Sequence, residues 1–373
     1  MLERSAWGST HIAGLSLAVA VLCGLPALLA FAQIPRFPDA PPALKKPGII
    51  KGSEAFLKSI FLTDAGLGSA THIILDPSKD ARLGIAGTGG AVFIGADGKV
   101  KSRVKFSSRV SYVQFVDVEK DGIWEFLDRG GHGWSDASLH DHNGKMLWQY
   151  GGRPGLNDMA AGDLDGDGVL DFVVGMNGAG GVRRLDRNGK LDWQQPDGNV
   201  WHVEIVDTNA DGIPEILHSN AGGQLTVRDQ NGKALRQSKP GTYFNQFSVC
   251  RWPTAKDGLH LIAAGADIVS VYDFDGVTQV TLEAPHAAIV GASARGIAVK
   301  FKAGKPAHFA AIVEFQNWNV SVLYLYNHDH ELVYQEVIGE RCLSLATLPR
   351  ENSEVEDLLV GGTGKVLKYT AEK

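Results

Sequence analysis

The 373-residue chain is poor in cysteine, with three, and one of these, Cys23, lies in an apolar N-terminal run. Only Cys250 and Cys342 remain beyond that run, which excludes a disulfide-rich scaffold. Basic excess is also missing: formal net charge is -6 and no basic stripe is present, so nucleic acid is excluded as a partner. An acidic surface repels anionic lipid as well, leaving metal ions, sugars or protein. There is no Gly-x-Ser-x-Gly elbow, and neither remaining cysteine sits beside an obvious base. The runs Gly87-Thr88-Gly89-Gly90 and Gly361-Gly362-Thr363-Gly364 lack the lysine spacing and following helix of a phosphate cradle, and read as hairpin turns. No catalytic residue is assigned.

What is abundant is glycine, 45 residues, much of it in Asx-Gly pairs that mark short strands joined by tight turns. The run Ile12 to Ala32 carries no charge, follows Arg4 and closes on Ala30-Phe31-Ala32. It reads as a secretory signal cleaved before Gln33, with a retained membrane anchor as the rival. Either places the remainder outside the cytoplasm, secreted, periplasmic or anchored, with residues 12–32 the only membrane contact. Residues 33–48 hold Pro35, Pro38, Pro41, Pro42 and Pro47 and read as an extended tether without packed structure.

The organising stretch is Asp163-Leu164-Asp165-Gly166-Asp167-Gly168-Val169-Leu170-Asp171. Alternating acids on a tight loop supply the oxygens that calcium, a hard cation, takes. Gly168 permits a sharp turn that would return Asp171 to the same ion. The pattern recurs at Asp207-Thr208-Asn209-Ala210-Asp211-Gly212-Ile213-Pro214-Glu215, 44 residues on, and at Asp117-Val118-Glu119-Lys120-Asp121-Gly122-Ile123-Trp124-Glu125, 46 residues before. A second marker keeps the same beat: Asp141-His142-Asn143-Gly144-Lys145, Asp186-Arg187-Asn188-Gly189-Lys190 and Asp229-Gln230-Asn231-Gly232-Lys233. Asn-Gly between apolar runs is a hairpin signal, because both residues accept positive φ.

A period of about 45 residues with four short strands per unit is the arithmetic of a propeller blade. Units begin their acid position near Asp76, Asp117, Asp163 and Asp207, with echoes near Pro253, Lys300 and Leu348. The expected fold is therefore all-β, a seven-bladed β-propeller over residues 49–373, with six or eight blades as alternatives. The last copy has room for three strands, so Ala55–Leu62 is expected to complete it and remove an exposed edge. Cysteines on inner strands of blades three apart would be too distant to bridge.

The acid loop followed by an apolar strand resembles the FG-GAP, or VCBS, integrin α-like repeat family in its exported bacterial form. The resemblance covers residues 70–373 in periodicity; the acid pattern is full at Asp163–Asp171, good at Asp207–Glu215 and weaker at Asp117–Glu125. It implies structural calcium between the first and second strands of a blade. Carried over by position, Asp163, Asp165, Asp167 and Asp171 are side-chain ligands and Val169 gives a carbonyl. Asp207, Asn209, Asp211 and Glu215 match with Ile213 as the carbonyl, and Asp117, Glu119, Asp121 and Glu125 form the poorer set. Asp-x-Asn-Gly-Lys-x-x-Trp, at Asp141–Trp148 and Asp186–Trp193, is similar to the tryptophan-docking motif of quinoprotein-type propellers. That implies indoles packed between blades.

Loops expected on the face opposite the acid loops carry His132, Trp134, Arg153, Asn157, Trp201, His202, Tyr243, Asn245, His286, Asn317 and Trp318. Aromatic and amide groups at a funnel mouth suit glycan or protein. His140 and His142 read as a surface pair. The expected function is a calcium-stabilised, exported, monomeric ring acting as a non-catalytic binding or adhesion module. A polysaccharide lyase or hydrolase on the same ring, or a membrane-anchored envelope scaffold, is the alternative.

Overall fold

The structure is a computed structural model that describes residues 39–75, 83–95, 97–130, 136–240, 244, 246–253, 258–287 and 292–372. Its strands group into seven antiparallel blades of four, as the repeat requires. Blade 1 holds Ala70–Leu75, Leu83–Gly87, Gly90–Ile94 and Val100–Val104; blade 2 holds Val113–Val116, Glu125–Asp128, Ala137–His140 and Met146–Tyr150. Blade 3 is Leu156–Gly162, Asp171–Met176, Val182–Leu185 and Leu191–Gln195. Blade 4 is Val200–Val206, Glu215–Asn220, Leu225–Arg228 and Ala234–Ser238. Blade 5 is Ser248–Arg251, Leu259–Gly265, Ile268–Tyr272 and Thr278–Glu283. Blade 6 is Ala292–Val299, His308–Phe315, Val320–Tyr326 and Leu332–Ile338, and blade 7 begins Ser344–Pro349, Glu356–Gly361 and Lys365–Ala371.

Phe56–Thr63 supplies the fourth strand of blade 7, pairing antiparallel with Lys365–Ala371. The expected closure by an N-terminal strand is therefore present. The ring joins where Ser344 Oγ donates to Ala70 O at 3.0 Å. Gly48–Gly52 adds a fifth strand to blade 6 by pairing with Leu332–Ile338. The tether expected over residues 33–48 is packed in its last part. Pro42–Leu44 forms a 3-10 turn, and Leu44 is buried in the cluster that contains Phe309 and Tyr326. Burying a leucine contributes about 2 kcal/mol, enough to hold a proline-stiffened segment down. The run 12–32 and the acid copy at Asp76–Asp80 lie outside the described residues. Among the described residues no helix is long and apolar enough to cross a membrane.

The core is divided into layers between blades. Ala160, Leu164 and Val173 of blade 3 pack with Val200, Val203 and Ile216 of blade 4. Cys250 is on the first strand of blade 5, and Cys342 lies two residues before the first strand of blade 7, two blades away; both are buried and free.

The turns led by Asp141, Asp186, Asp229 and Asp273 join third to fourth strands, and each is shaped by its leading side chain. Oδ1 of Asp141, Asp186, Asp229 and Asp273 accepts the N–H groups two and four residues on. Trp148 of blade 2 donates its indole N–H to Arg187 O, and Trp193 of blade 3 donates to Gln230 O, both at 2.9 Å. Each indole therefore lies on the next blade's turn, as the docking resemblance implies. The turn glycines meet two demands at once. Gly189 has φ +76°, and a Cβ there would fall 2.8 Å from the Trp148 ring. Gly122 has φ +82° with open space around it.

That contrast separates conformational strain from close approach. Gly122→Ala should cost about 1–2 kcal/mol for left-handed backbone. Gly189→Ala should cost a further ~1–3 kcal/mol, because the indole must move. Urea unfolding of both variants checks this; equal losses would contradict the docking role of the turn.

Candidate functional site

The three acid loops sit between first and second strands, on the lower face with the Asx-Gly turns. They are built by carboxylates accepting backbone N–H groups, the local bonding that makes Asp a turn residue. The first acid binds the loop's middle. Asp117 accepts from Asp121 and Gly122, Asp163 from Gly166 and Gly168, and Asp207 from Asn209, Ala210 and Gly212. The third acid accepts from the residue two on, at Ile123, Val169 and Ile213. The closing acid is buried and accepts from an N–H seven residues earlier. Glu125 takes Val118 at 3.0 Å, Asp171 takes Leu164 at 3.3 Å and Glu215 takes Thr208 at 2.8 Å.

Carboxylate oxygens of Asp163, Asp165 and Asp167 lie within 4.8 Å of one another and can hold a cation. The donor set is all oxygen and solvent-facing, which fits a hard cation. Asp171 does not join this group: Arg184 Nη2 donates to its Oδ2 at 2.9 Å and to Asp165 at 2.7 Å. Burial raises the Asp171 carboxyl despite that arginine. Burial also acts to raise Asp163, but Lys120 from the neighbouring loop and the Gly166 and Gly168 N–H groups hold it below the ordinary range. Among the described residues the other two loops gather no such acid trio. In blade 4 the Asn209 amide donates to both Asp211 and Glu215 at 3.0 Å. In blade 2 Glu119 turns out to Arg187 at 3.5 Å.

The opposite, upper face carries the second-to-third strand turns and the blade-to-blade connections. His132, Trp134, Tyr243 and Asn245 lie outside the described residues. Arg153 is exposed, and Trp201 and His286 are half-buried. Asn157 is buried and donates to Asn199 Oδ1 at 2.9 Å and Val200 O at 2.8 Å, bracing blade 3 to blade 4. Trp318 stacks on Phe315 with centroids 5.7 Å apart, and Asn317 is exposed beside it. His140 is fully buried against Ser108, so only His142 is on the surface.

His202 turns inward, into a polar cluster at the upper end of the ring axis that sequence reasoning missed. Arg129, at the end of blade 2's second strand, makes a two-pronged bond to Asp158 of blade 3, both arms 2.9 Å. It also donates to Val203 O of blade 4 at 2.7 Å and reaches Glu204 at 3.4 Å. His202 lies between Asp158 at 2.5 Å and Glu204 at 3.0 Å. Burial opposes charge on every member, but their mutual attraction wins. Asp158 is held well below the carboxylate range by Arg129 and His202, and Glu204 is lowered by the same pair. His202 is raised, chiefly by Asp158. His72 on blade 1 goes the other way: burial, then Arg129, lowers it to about 4. It accepts the Phe115 N–H at 3.0 Å as a neutral ring. The available signal was composition: Gln114, Asp158, His202 and Glu204 are polar positions on first strands that are largely apolar.

Near the upper rim of blade 4, Asn220, Gly222, Gln224, Gln237, Ser238 and Lys239 line an open cleft of about 530 Å³. Asn220 and Gln224 are preset by a 3.1 Å amide bond between them.

Comparison with solved structures agrees with the fold. A chain of the crystal structure of BBS1N in complex with ARL6DN, soaked with lead, matches with TM-score 0.56 and 15% identity, covering 86% of this chain and 98% of that one. The mercury-soaked crystal structure of that complex gives 0.53 and 16% at the same coverage. The Neurospora crassa Pan2 WD40 domain gives 0.49 and 12%, covering 86% and 97%. At such identity the likeness to the two BBS1N structures concerns fold alone, and the Pan2 likeness carries no argument. No protein-family model and no curated protein matches the sequence.

The axial histidines give a pH signature. A raised His202 contributes stability that is fully present below its unfolded value, about 6.5, and is lost as pH rises through the higher folded value. The stability gap between wild type and His202→Gln should therefore be widest near pH ~5.5 and shrink toward pH ~9. Urea titrations across that range test it, and a gap that widens with pH would contradict a His202 imidazolium held by Asp158 and Glu204.

Proposed function

We propose that the protein is an exported, calcium-braced β-propeller of the FG-GAP type whose upper face binds a glycan without catalysing its conversion. The observation that carries this reading is the blade 4 cleft. Its walls are amide, hydroxyl and ammonium groups with no large apolar anchor. Such a surface suits a ligand recognised by many hydrogen bonds, as a sugar is, more than the buried aromatic anchor of a peptide interface.

The FG-GAP reading is supported by the shared position of three acid loops between first and second strands, and by their common bonding. Calcium is supported by the all-oxygen convergence at Asp163, Asp165 and Asp167. There the ion would neutralise three acids and tie two strands together, with the Val169 carbonyl as the further ligand the repeat pattern suggests; Asp171, also expected as a ligand, is held instead by Arg184 and the Leu164 N–H. Asp207, Asn209, Asp211, Ile213 and Glu215 in blade 4, and Asp117, Glu119, Asp121 and Glu125 in blade 2, are weaker versions of the same brace. Export rests on residues 12–32 as a leader or anchor, and calcium outside the cytoplasm is consistent with it.

A glycan array probed with the purified protein tests the reading. Binding is expected, and Gln237→Ala together with Asn220→Ala should weaken it about tenfold, the worth of one or two hydrogen bonds. Undiminished binding by the double variant would move the site elsewhere, and no glycan binding at all would remove the proposal.

A further inference from the structure

The axial cluster contains a guanidinium, Arg295, that forms no ion pair among the described residues. Arg129 is paired with Asp158 and Glu204, and Arg341 Nε is paired with Glu314 at 2.5 Å. Arg295, on the first strand of blade 6, has no carboxylate within ion-pair distance among the described residues. Its Nη2 donates to the Tyr112 hydroxyl at 3.3 Å, reaching from blade 6 to blade 2 across the axis. Its Nη1 is buried and has no acceptor among the described residues. Glu314 acts on Arg295 at longer range, but its oxygens are taken by Ser293 Oγ at 3.1 Å and by Arg341.

The Tyr112 ring lies close to two cations, with Arg295 Cζ 5.4 Å and Arg129 Cζ 5.9 Å from its centroid. The ring faces offset part of the cost of two nearby guanidiniums. They cannot supply the acceptor that a buried N–H needs, and leaving one unmade is costly. Solvent does reach this level of the axis: Arg295, Tyr112 and His202 are each partly exposed. A carboxylate entering from the upper face would meet the partly exposed Arg295 guanidinium beside the Tyr112 hydroxyl, and a small shift of the arginine side chain would bring its buried Nη1 to the same acceptor. That donor pair matches a carboxylate's two oxygens.

We propose that Arg295 and Tyr112 form the recognition point for the carboxylate of an acidic sugar at the upper mouth of the axis. The carrier of the carboxylate rests on the glycan reading above; recognition of the carboxylate rests on the axial geometry alone.

Calorimetric titration of the full-length protein with glucuronate, glucose and acetate, at constant ionic strength, separates the two. Glucuronate should bind at least tenfold more tightly than glucose. Arg295→Gln should lower glucuronate affinity at least tenfold, and Tyr112→Phe, which keeps the ring beside the guanidiniums, several-fold. Binding of neutral glycans at the blade 4 cleft should survive both changes. Should Arg295→Gln not fold, Arg295→Lys, which keeps the charge and loses the fork, must still weaken glucuronate. Equal affinity for glucuronate and glucose, or folded Arg295 and Tyr112 variants that bind glucuronate as wild type does, overturns the proposal. Acetate binding as tightly as glucuronate would keep the carboxylate site and reject the sugar as its carrier.

Discussion

A buried carboxylate accepting a backbone N–H from the start of its own loop is the interaction on which the lower face depends. Glu125, Asp171 and Glu215 each do this, and each is the first residue of its blade's second strand. The bond spans the turn between two strands, so it sets their register and the loop's shape together. With the first acid caging the loop's middle, the backbone is shaped before any cation is considered. A metal at Asp163, Asp165 and Asp167 would then neutralise charge on a frame already built, consistent with ion binding that adds to folding. The closing acid, expected to swing onto the ion, is occupied by the frame itself and by Arg184.

Much of this was legible because blades are periodic. First strands end at Leu75, Val116, Gly162, Val206, Arg251, Val299 and Pro349, next to the acid positions counted along the sequence. The closing strand could be placed because the last repeat was one strand short. Trp148 and Trp193 were legible as inter-blade contacts because the motif carries both the indole and the glycine turn that receives it. What escaped was whatever depends on residues meeting from different blades. Arg129 meets Asp158 and Glu204 from 29 and 75 positions away, and Arg295 meets Tyr112 from 183, with no local pattern to announce either. Leu44 was hidden by its proline-rich surroundings, and His140 by an alternation that sends it inward.

Two faces thus have different physical characters. The lower face is turns and acids satisfied by their own backbone, repeated from blade to blade, which is how a brace is distributed. The upper face is unrepeated: an amide-lined cleft on blade 4 and a mixed-charge plug joining blades 2, 3, 4 and 6. Features that occur once on a repeating scaffold are where a repeat protein departs from its own stability rules, and binding is a reason to do so. Of the residues first expected on the ligand face, Trp318 stacks on Phe315 and Asn157 braces a blade junction.

Hydrogen exchange of the full-length protein, before and after calcium is added to chelator-treated material, tests the division of labour most directly. Amides across 163–171 should gain protection with calcium, while those at 220–224 and 237–239 on the upper face exchange unchanged. Upper-face amides that respond as strongly as the acid loop, or an acid loop indifferent to calcium, would contradict the account of a metal-braced lower face and an independent binding face above it.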